Sequence, residues 1–206
     1  EITVCHGNTI KGMGRTEIMD PTDPLLFGSL DAASSDLAAV ADLLFLLLQK
    51  HTEGLDDDES EQQMLDCIRD YPETCQVRFI FEGMFWYPLA LFSRTGNLRL
   101  VEAAYQAFPE AVGCDLGHGL PLHFAKSLEI TMFLLRVFPE GARKPNKQLQ
   151  TPLHLACIAK ELNVDVLRLL LDVYPTALHM SDDKGWTPLH NLCANRQATT
   201  SALQLV

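Results

Sequence analysis

The chain has 206 residues, of which 47% are hydrophobic, and carries a net charge of −11. This balance is typical of a packed protein and excludes a disordered one. The acidic charge argues against a nucleic-acid partner, which would require a basic surface, and the same holds for an anionic membrane surface. The longest apolar stretch, residues 37–48, is interrupted by Asp42 and is shorter than the about 20 residues that span a bilayer, so no membrane span is predicted.

The cysteine pattern indicates reduced thiols. None of the six cysteines forms a Cys-x-x-Cys pair, so neither a disulfide framework nor a redox motif is predicted. We therefore expect an intracellular protein, cytoplasmic or within an organelle. The sequence starts without Met or a signal-peptide pattern and stops inside a predicted helix, which leads us to expect a fragment of a longer protein.

The amino-terminal third is predicted to differ from the rest. Residues 1–30 are rich in glycine and proline, which indicates an irregular segment. Residues 31–72 are predicted to form a divergent helix pair, with an acidic loop at residues 53–61 between its helices. That loop lacks the spacing of a calcium-binding loop, so a solvated loop is the simpler interpretation, with a basic peptide or a cation as the alternative ligand.

Residues 73–206 contain a repeated motif. The segment Thr151-Pro152-Leu153-His154 returns as Thr187-Pro188-Leu189-His190, and looser copies lie at residues 120–126 and 87–93. The motif prolines are 88, 121, 152 and 188, so the copies follow one another by 33, 31 and 36 residues. An aromatic residue followed by proline recurs with nearly the same changing period, at residues 71–72, 108–109, 138–139 and 174–175. Two motifs with one period indicate stacked repeats.

These motifs resemble those of the ankyrin-repeat family, and the aromatic-Pro-Glu endings are similar to a variant found in algal, especially diatom, ankyrin proteins. The resemblance implies an all-α solenoid of stacked helix-turn-helix units with intervening loops. Helix pairs are expected to begin near residues 88, 121, 152 and 188, and the last pair is expected to be truncated. In this family the proline starts the inner helix, the leucine packs between helices, and the histidine bonds back to the loop with the threonine. The residues that match these roles are Thr151, Pro152, Leu153, His154, Thr187, Pro188, Leu189, His190, Pro121, Leu122 and His123.

Two histidines could have a chemical role instead. His154 with Cys157, and His190 with Cys193, lie one helical turn apart and would suit half of a zinc site or a Cys–His dyad. The repeat period explains these residues without chemistry, and equivalent positions on stacked helices lie about 8–10 Å apart, too far to share one metal ion. We therefore predict no catalytic residue, no metal and no cofactor.

The loops that join the repeats differ in chemistry, and in this family such loops contact partners. Residues 113–119 are small and flexible around His118. Arg143, Lys144 and Lys147 form a basic island that would suit an acidic segment, although an ordinary solvated loop is the simpler interpretation. Asp182, Asp183 and Trp186 combine charge with an aromatic anchor, while Trp86 at the matching position favours a role for tryptophan in packing the loop.

The favoured function is a non-catalytic module that binds a partner protein through its loop tips and the concave face of the repeats. A permanent subunit of a larger assembly and the targeting region of an enzyme are the alternatives. The apolar segment 79–86 distinguishes the first two, because its exposure would favour a permanent subunit and its burial a transient partner.

Overall fold

Helices dominate the computed structural model, which describes residues 34–52 and 58–205. Within these ranges the α-helices are α1 (Ser34–Thr52), α2 (Asp58–Asp70), α3 (Pro88–Thr95), α4 (Leu98–Ala107), α5 (Leu128–Val137), α6 (Pro152–Ile158), α7 (Val164–Val173), α8 (Pro188–Ala194) and α9 (Thr200–Leu205). Short 3₁₀ helices occupy Pro72–Gln76, Pro109–Gly113, Pro121–Phe124, Pro139–Arg143 and Pro175–His179. The predicted helical solenoid class is confirmed, with one small hairpin, β1 (Phe79–Phe81) and β2 (Met84–Trp86), added to it.

The chain divides into two compact units. Of the described residues, the first unit contains 34–52, 58–89 and 99–109, and the second contains 90–98 and 110–205. This division differs from the boundaries at residues 31 and 73 that the composition suggested, because it passes through α3 and α4. The irregular segment 1–30 and residues 53–57 of the acidic loop lie outside the described residues.

The first unit is built on α1 and α2. Helix α1 packs against α2 through a buried stripe that includes Leu44 and Leu48, and Met64 of α2 is equally enclosed. Helix α2 begins at Asp58, so the last residues of the predicted acidic loop, Asp58 to Glu61, belong to its first turn. Glu59 and Glu61 thereby lie near the positive end of the helix dipole, which favours this position over a loop.

The apolar segment at residues 79–86 forms a β-hairpin. Glu82 and Gly83 both have positive φ, 54° and 76°, which is the conformation of the two-residue turn that matches strand twist. Phe79 pairs with Trp86 in the antiparallel register, and both side chains are buried. The Trp86 indole donates a hydrogen bond to the Phe81 carbonyl oxygen at 3.1 Å. The large apolar groups at the two ends of this segment are therefore enclosed, and Met84 at the turn is exposed.

The second unit contains the repeats. Helices α6 and α8 begin at the motif prolines, where the missing N–H would have no helical partner in any case. The outer helices α5 and α7 begin after side-chain caps, from the Ser127 hydroxyl and the Asn163 carbonyl oxygen. Inner helix α6 packs on α8, and outer helix α7 packs on α5 and α9.

The second copy of the motif forms less helix than its sequence indicates. A helix was expected from Pro121 to Ser127, but only the 3₁₀ helix Pro121–Phe124 forms. Ser127 caps α5 instead, with its hydroxyl accepting from the Ile130 N–H at 3.2 Å. Pro121 lies six residues before this cap, whereas Pro152 lies eleven residues before the Asn163 cap, so the shorter repeat leaves less chain for its inner helix.

Candidate protein-binding surface

Two of the motif histidines, His123 and His154, join their repeat to the next one. The Nδ1 of His154 accepts from the Thr151 N–H at 3.1 Å and lies 2.9 Å from the Thr151 hydroxyl. Its Nε2 lies 3.2 Å from the carbonyl oxygen of Trp186 in the following loop. His123 repeats the pattern, with its Nδ1 bonded to the Leu120 N–H and its Nε2 3.1 Å from the Gln150 carbonyl. A neutral ring with the proton on Nε2 satisfies both sets of contacts.

Burial keeps these rings neutral and the neighbouring thiol inert. Burial lowers the pKa of His123 to about 4, although the Gln150 carbonyl opposes the shift, and it also lowers the pKa of His154. Burial raises the pKa of Cys157, the partner of His154 in the Cys–His hypothesis, to about 12. A buried, protonated thiol is a poor nucleophile and a poor metal ligand. The residues are thus occupied in holding the repeats together.

In the last repeat, the motif residues Leu189 and His190 are exposed rather than buried. Its His190 keeps the bonds to Thr187, but the ring is exposed, and in the described chain no carbonyl of a following loop accepts from it. Leu189 was expected to pack between helices like the buried Leu89, Leu122 and Leu153, yet it is 41% exposed. The reason is that no described helix pair follows α9 to cover it. Within the described chain, the side chain of Leu189 is therefore exposed to solvent.

Each loop tip of the second unit is held by one polar side chain. Asp115 accepts from the backbone N–H groups two and four residues later, at 2.6 and 2.9 Å. Asn146 and Asp182 accept from the corresponding pairs of N–H groups at 2.8–3.0 Å. All three lie six residues before a motif proline, a period that is visible in the sequence and that our sequence analysis missed. The tips are consequently fixed in shape before any partner arrives.

Asp182, one of the predicted partner-binding residues, also stabilises its own loop. Burial of its carboxyl raises the pKa, but the backbone N–H groups of Trp186 and Lys184 and the Gln150 amide outweigh this effect and lower it. Its side chain is nearly enclosed, whereas its neighbour Asp183 is exposed and remains available to a partner. The Oδ1 atom of Asp182 accepts both backbone hydrogen bonds, and its Oδ2 atom lies 3.5 Å from the Gln150 amide nitrogen.

Arg143, Lys144 and Lys147 of the basic island are exposed, but their charged groups do not lie together at one site. Arg143 lies over the Tyr174 ring at 5.7 Å, and Lys144 lies over the Phe138 ring at 5.0 Å. The Lys147 side chain instead lies along Gly117, where a Cβ would come within 2.6 Å of Nζ. Two of the cations therefore stand at the aromatic–proline turns, and only Lys147 stands among the loop tips.

Large side chains project from the fixed tips. Trp186 is 45% exposed, with its ring 6.4 Å from that of His190, unlike the buried Trp86 at the matching position. Leu149 is 51% exposed and has a positive φ of 58°, which is unusual for leucine. His118 is half-buried near Phe124, where burial lowers its pKa. Exposed tryptophan is enriched among the residues that dominate the binding energy of protein interfaces.

Neither metal ligation nor membrane spanning is indicated where the structure is described. No cluster of three or more His, Cys, Asp or Glu side chains with metal-binding geometry occurs in residues 34–52 and 58–205. Over the same ranges, no helix is long and apolar enough to cross a membrane.

The helix pairs and projecting loops of the second unit define a helical-repeat protein. A family model for ankyrin repeats, in three copies, matches residues 122–205. Ankyrin repeats are generally protein–protein interaction modules and are typically non-catalytic. No curated protein matches the chain significantly.

Proposed function

We propose that the chain is a non-catalytic module that binds a partner protein through the loop tips of its second unit. The observation that carries this proposal is that one set of loops combines a backbone stabilised by hydrogen bonds with large exposed apolar side chains. Asn146 and Asp182 hold the tips, and Leu149 and Trp186 project from them. A surface that is ordered before binding loses less conformational entropy on association.

Lys147 adds a charge to this surface. It is exposed next to the small residues of the preceding loop, and an acidic partner segment would be attracted to it. Arg143 and Lys144 contribute to the same long-range attraction from the aromatic–proline turns. In an acidic protein, such a local basic area favours one orientation of the incoming partner.

A permanent subunit would need a large apolar surface in the isolated chain. The segment proposed for that role, residues 79–86, has Phe79 and Trp86 buried within the first unit. Its other apolar side chains are half-buried, except that of Met84, which is exposed. This burial favours a partner that associates and dissociates.

The test is a pull-down from native cell extract with the chain as bait, analysed by mass spectrometry. Trp186→Ala and Leu149→Asn are compared with Met132→Ala and Val173→Ala, which remove exposed apolar side chains from the outer helices. Asn is the matched choice at position 149 because it tolerates a positive φ. A partner lost with the two loop variants and kept with the two helix variants supports the proposal, whereas a partner lost equally with all four contradicts it.

A further inference from the structure

One repeat position changes chemistry in the last copy of the motif. The residue after the motif histidine or its counterpart is Leu91, Phe124 or Leu155 in the first three copies, and it is Asn191 in the fourth. Asn191 is only 4% exposed, and its Nδ2 is enclosed without a hydrogen-bond partner among the described residues. A buried amide without partners costs about 1–3 kcal/mol, so a residue of this kind needs an explanation beyond packing.

Asn191 lines a cleft of about 480 Å³ between the carboxyl ends of α6 and α8. The lining residues are Ile158, Lys160, Asn191, Ala194, Asn195, Arg196 and Gln197, so both charged residues of the cleft are basic. Neither Lys160 nor Arg196 forms an ion pair with any residue in the described part of the chain. The cleft thus combines these two cations with an amide donor, in a chain of net charge −11.

The wall of this cleft is rigid. The Nδ2 of Asn195 donates to the carbonyl oxygens of Cys157 and Ala159 at 2.8 and 2.9 Å, which ties the end of α8 to the end of α6. Its Oδ1 accepts from the Gln197 N–H at 2.9 Å. Both side-chain N–H groups of Asn195 are thus used, whereas the Asn191 amide can turn its N–H group into the cleft by rotation about the Cβ–Cγ bond.

We infer that this cleft receives a carboxylate side chain from an acidic segment of the partner protein. A carboxylate accepts hydrogen bonds only, so it complements the Asn191 N–H and is attracted by Lys160 and Arg196. The inference rests on the proposed function, because it supplies the chemistry of the partner. It places the contact at the helix ends, at a site separate from the loop tips.

The test uses ¹⁵N-labelled chain and amide-resolved NMR. The probe is an end-blocked peptide of alternating alanine and glutamate, and its glutamine counterpart and inorganic phosphate are the reference ligands. We expect saturable shifts of the side-chain amide of Asn191 and the backbone amide of Arg196 with the glutamate peptide only. Equal shifts with phosphate would overturn the inference in favour of a small-anion site.

Variants separate this site from general charge attraction. Asn191→Leu restores the residue of the third copy, so the chain should fold with an unchanged or higher Tm while its affinity for the glutamate peptide falls about tenfold or more. Lys160→Gln and Arg196→Gln should each weaken binding about two- to fivefold. Arg168→Gln, which removes an exposed cation from α7, should leave the affinity unchanged.

The outcomes distinguish the two proposals. Full affinity in Asn191→Leu, or no shift at Asn191, overturns the cleft as the acidic-segment site. Shifts confined to Arg143, Lys144 and Lys147 overturn it as well, but they leave the loop-tip function standing. Failure of the loop-tip function itself appears only in the pull-down, as retention of the partner by Trp186→Ala and Leu149→Asn.

Discussion

The imidazole of His154 offers the sharpest test of how the repeats hold together. His154→Ala removes the acceptor of the Thr151 N–H and the donor to the Trp186 carbonyl. Thr151 is fully buried, so its N–H loses its partner without gaining solvent. Each unsatisfied group costs about 1–3 kcal/mol, and a water molecule in the space left by the ring can partly satisfy one of them. We expect a total loss of about 2–4 kcal/mol in the free energy of unfolding.

The matched control is His190→Ala. His190 makes the same contacts with its own threonine, but its ring is exposed and within the described chain it lacks the bond to a following loop. Solvent replaces the lost bonds there, so we expect a loss below about 1 kcal/mol. Urea unfolding followed by circular dichroism and by tryptophan fluorescence measures both variants. Equal losses in the two variants would refute the argument, because they would show that the contact between repeats contributes nothing.

Burial and hydrogen bonding lead to three further predictions. Leu153→Ala should lower the free energy of unfolding by about 2–5 kcal/mol, and Leu189→Ala by less than about 1 kcal/mol. A loss below about 0.5 kcal/mol for Leu153→Ala would show that the predicted repeat register is wrong. His123 has a folded pKa of about 4, below that of the unfolded chain, so the free energy of unfolding should fall by on the order of 3 kcal/mol as the pH drops from 6.5 to 4. Urea titrations at several pH values should show a smaller fall in the variant His123→Gln. An equal fall in the variant would contradict the burial argument. Asp182→Ala should speed amide hydrogen exchange at Trp186 while Asp182→Asn preserves its protection, and identical exchange in both would show that the carboxylate does not hold the loop.

The local sequence was sufficient to predict a helix boundary where a single residue determines the backbone conformation. Proline at positions 152 and 188 marks the start of an inner helix, and the structure begins α6 and α8 there. Phe138 and Tyr174 each stand at the end of an outer helix before a proline, because the residue before proline is disfavoured in the helical conformation. These features depend on sterics within a few residues, so they can be predicted without knowledge of the neighbours.

Burial could not be predicted in the same way. Leu153 and Leu189 stand in the same motif, but only the first is covered by a following repeat. Asp182 looked like a surface charge because its identity is polar, while the structure encloses it beneath the backbone N–H groups of its own loop. Asn191 could have been noticed as a polar residue in an apolar repeat position, but the cleft beside it depends on how α6 and α8 pack. Such properties belong to pairs of repeats rather than to one segment.

The loop tips also separate the residues that hold the backbone from the residues that face outward. Asp115, Asn146 and Asp182 each fix five residues by the same two hydrogen bonds, whatever side chains lie between the bonded positions. Segments 147–149 and 183–185 are therefore interchangeable in principle, since both have a positive φ three residues after the hydrogen-bonding side chain, at Leu149 and Gly185, whereas segment 116–118 has it at Gly117. Exchanging these three residues should change the side chains that the loop tip presents to solvent while the helices and their packing stay unchanged.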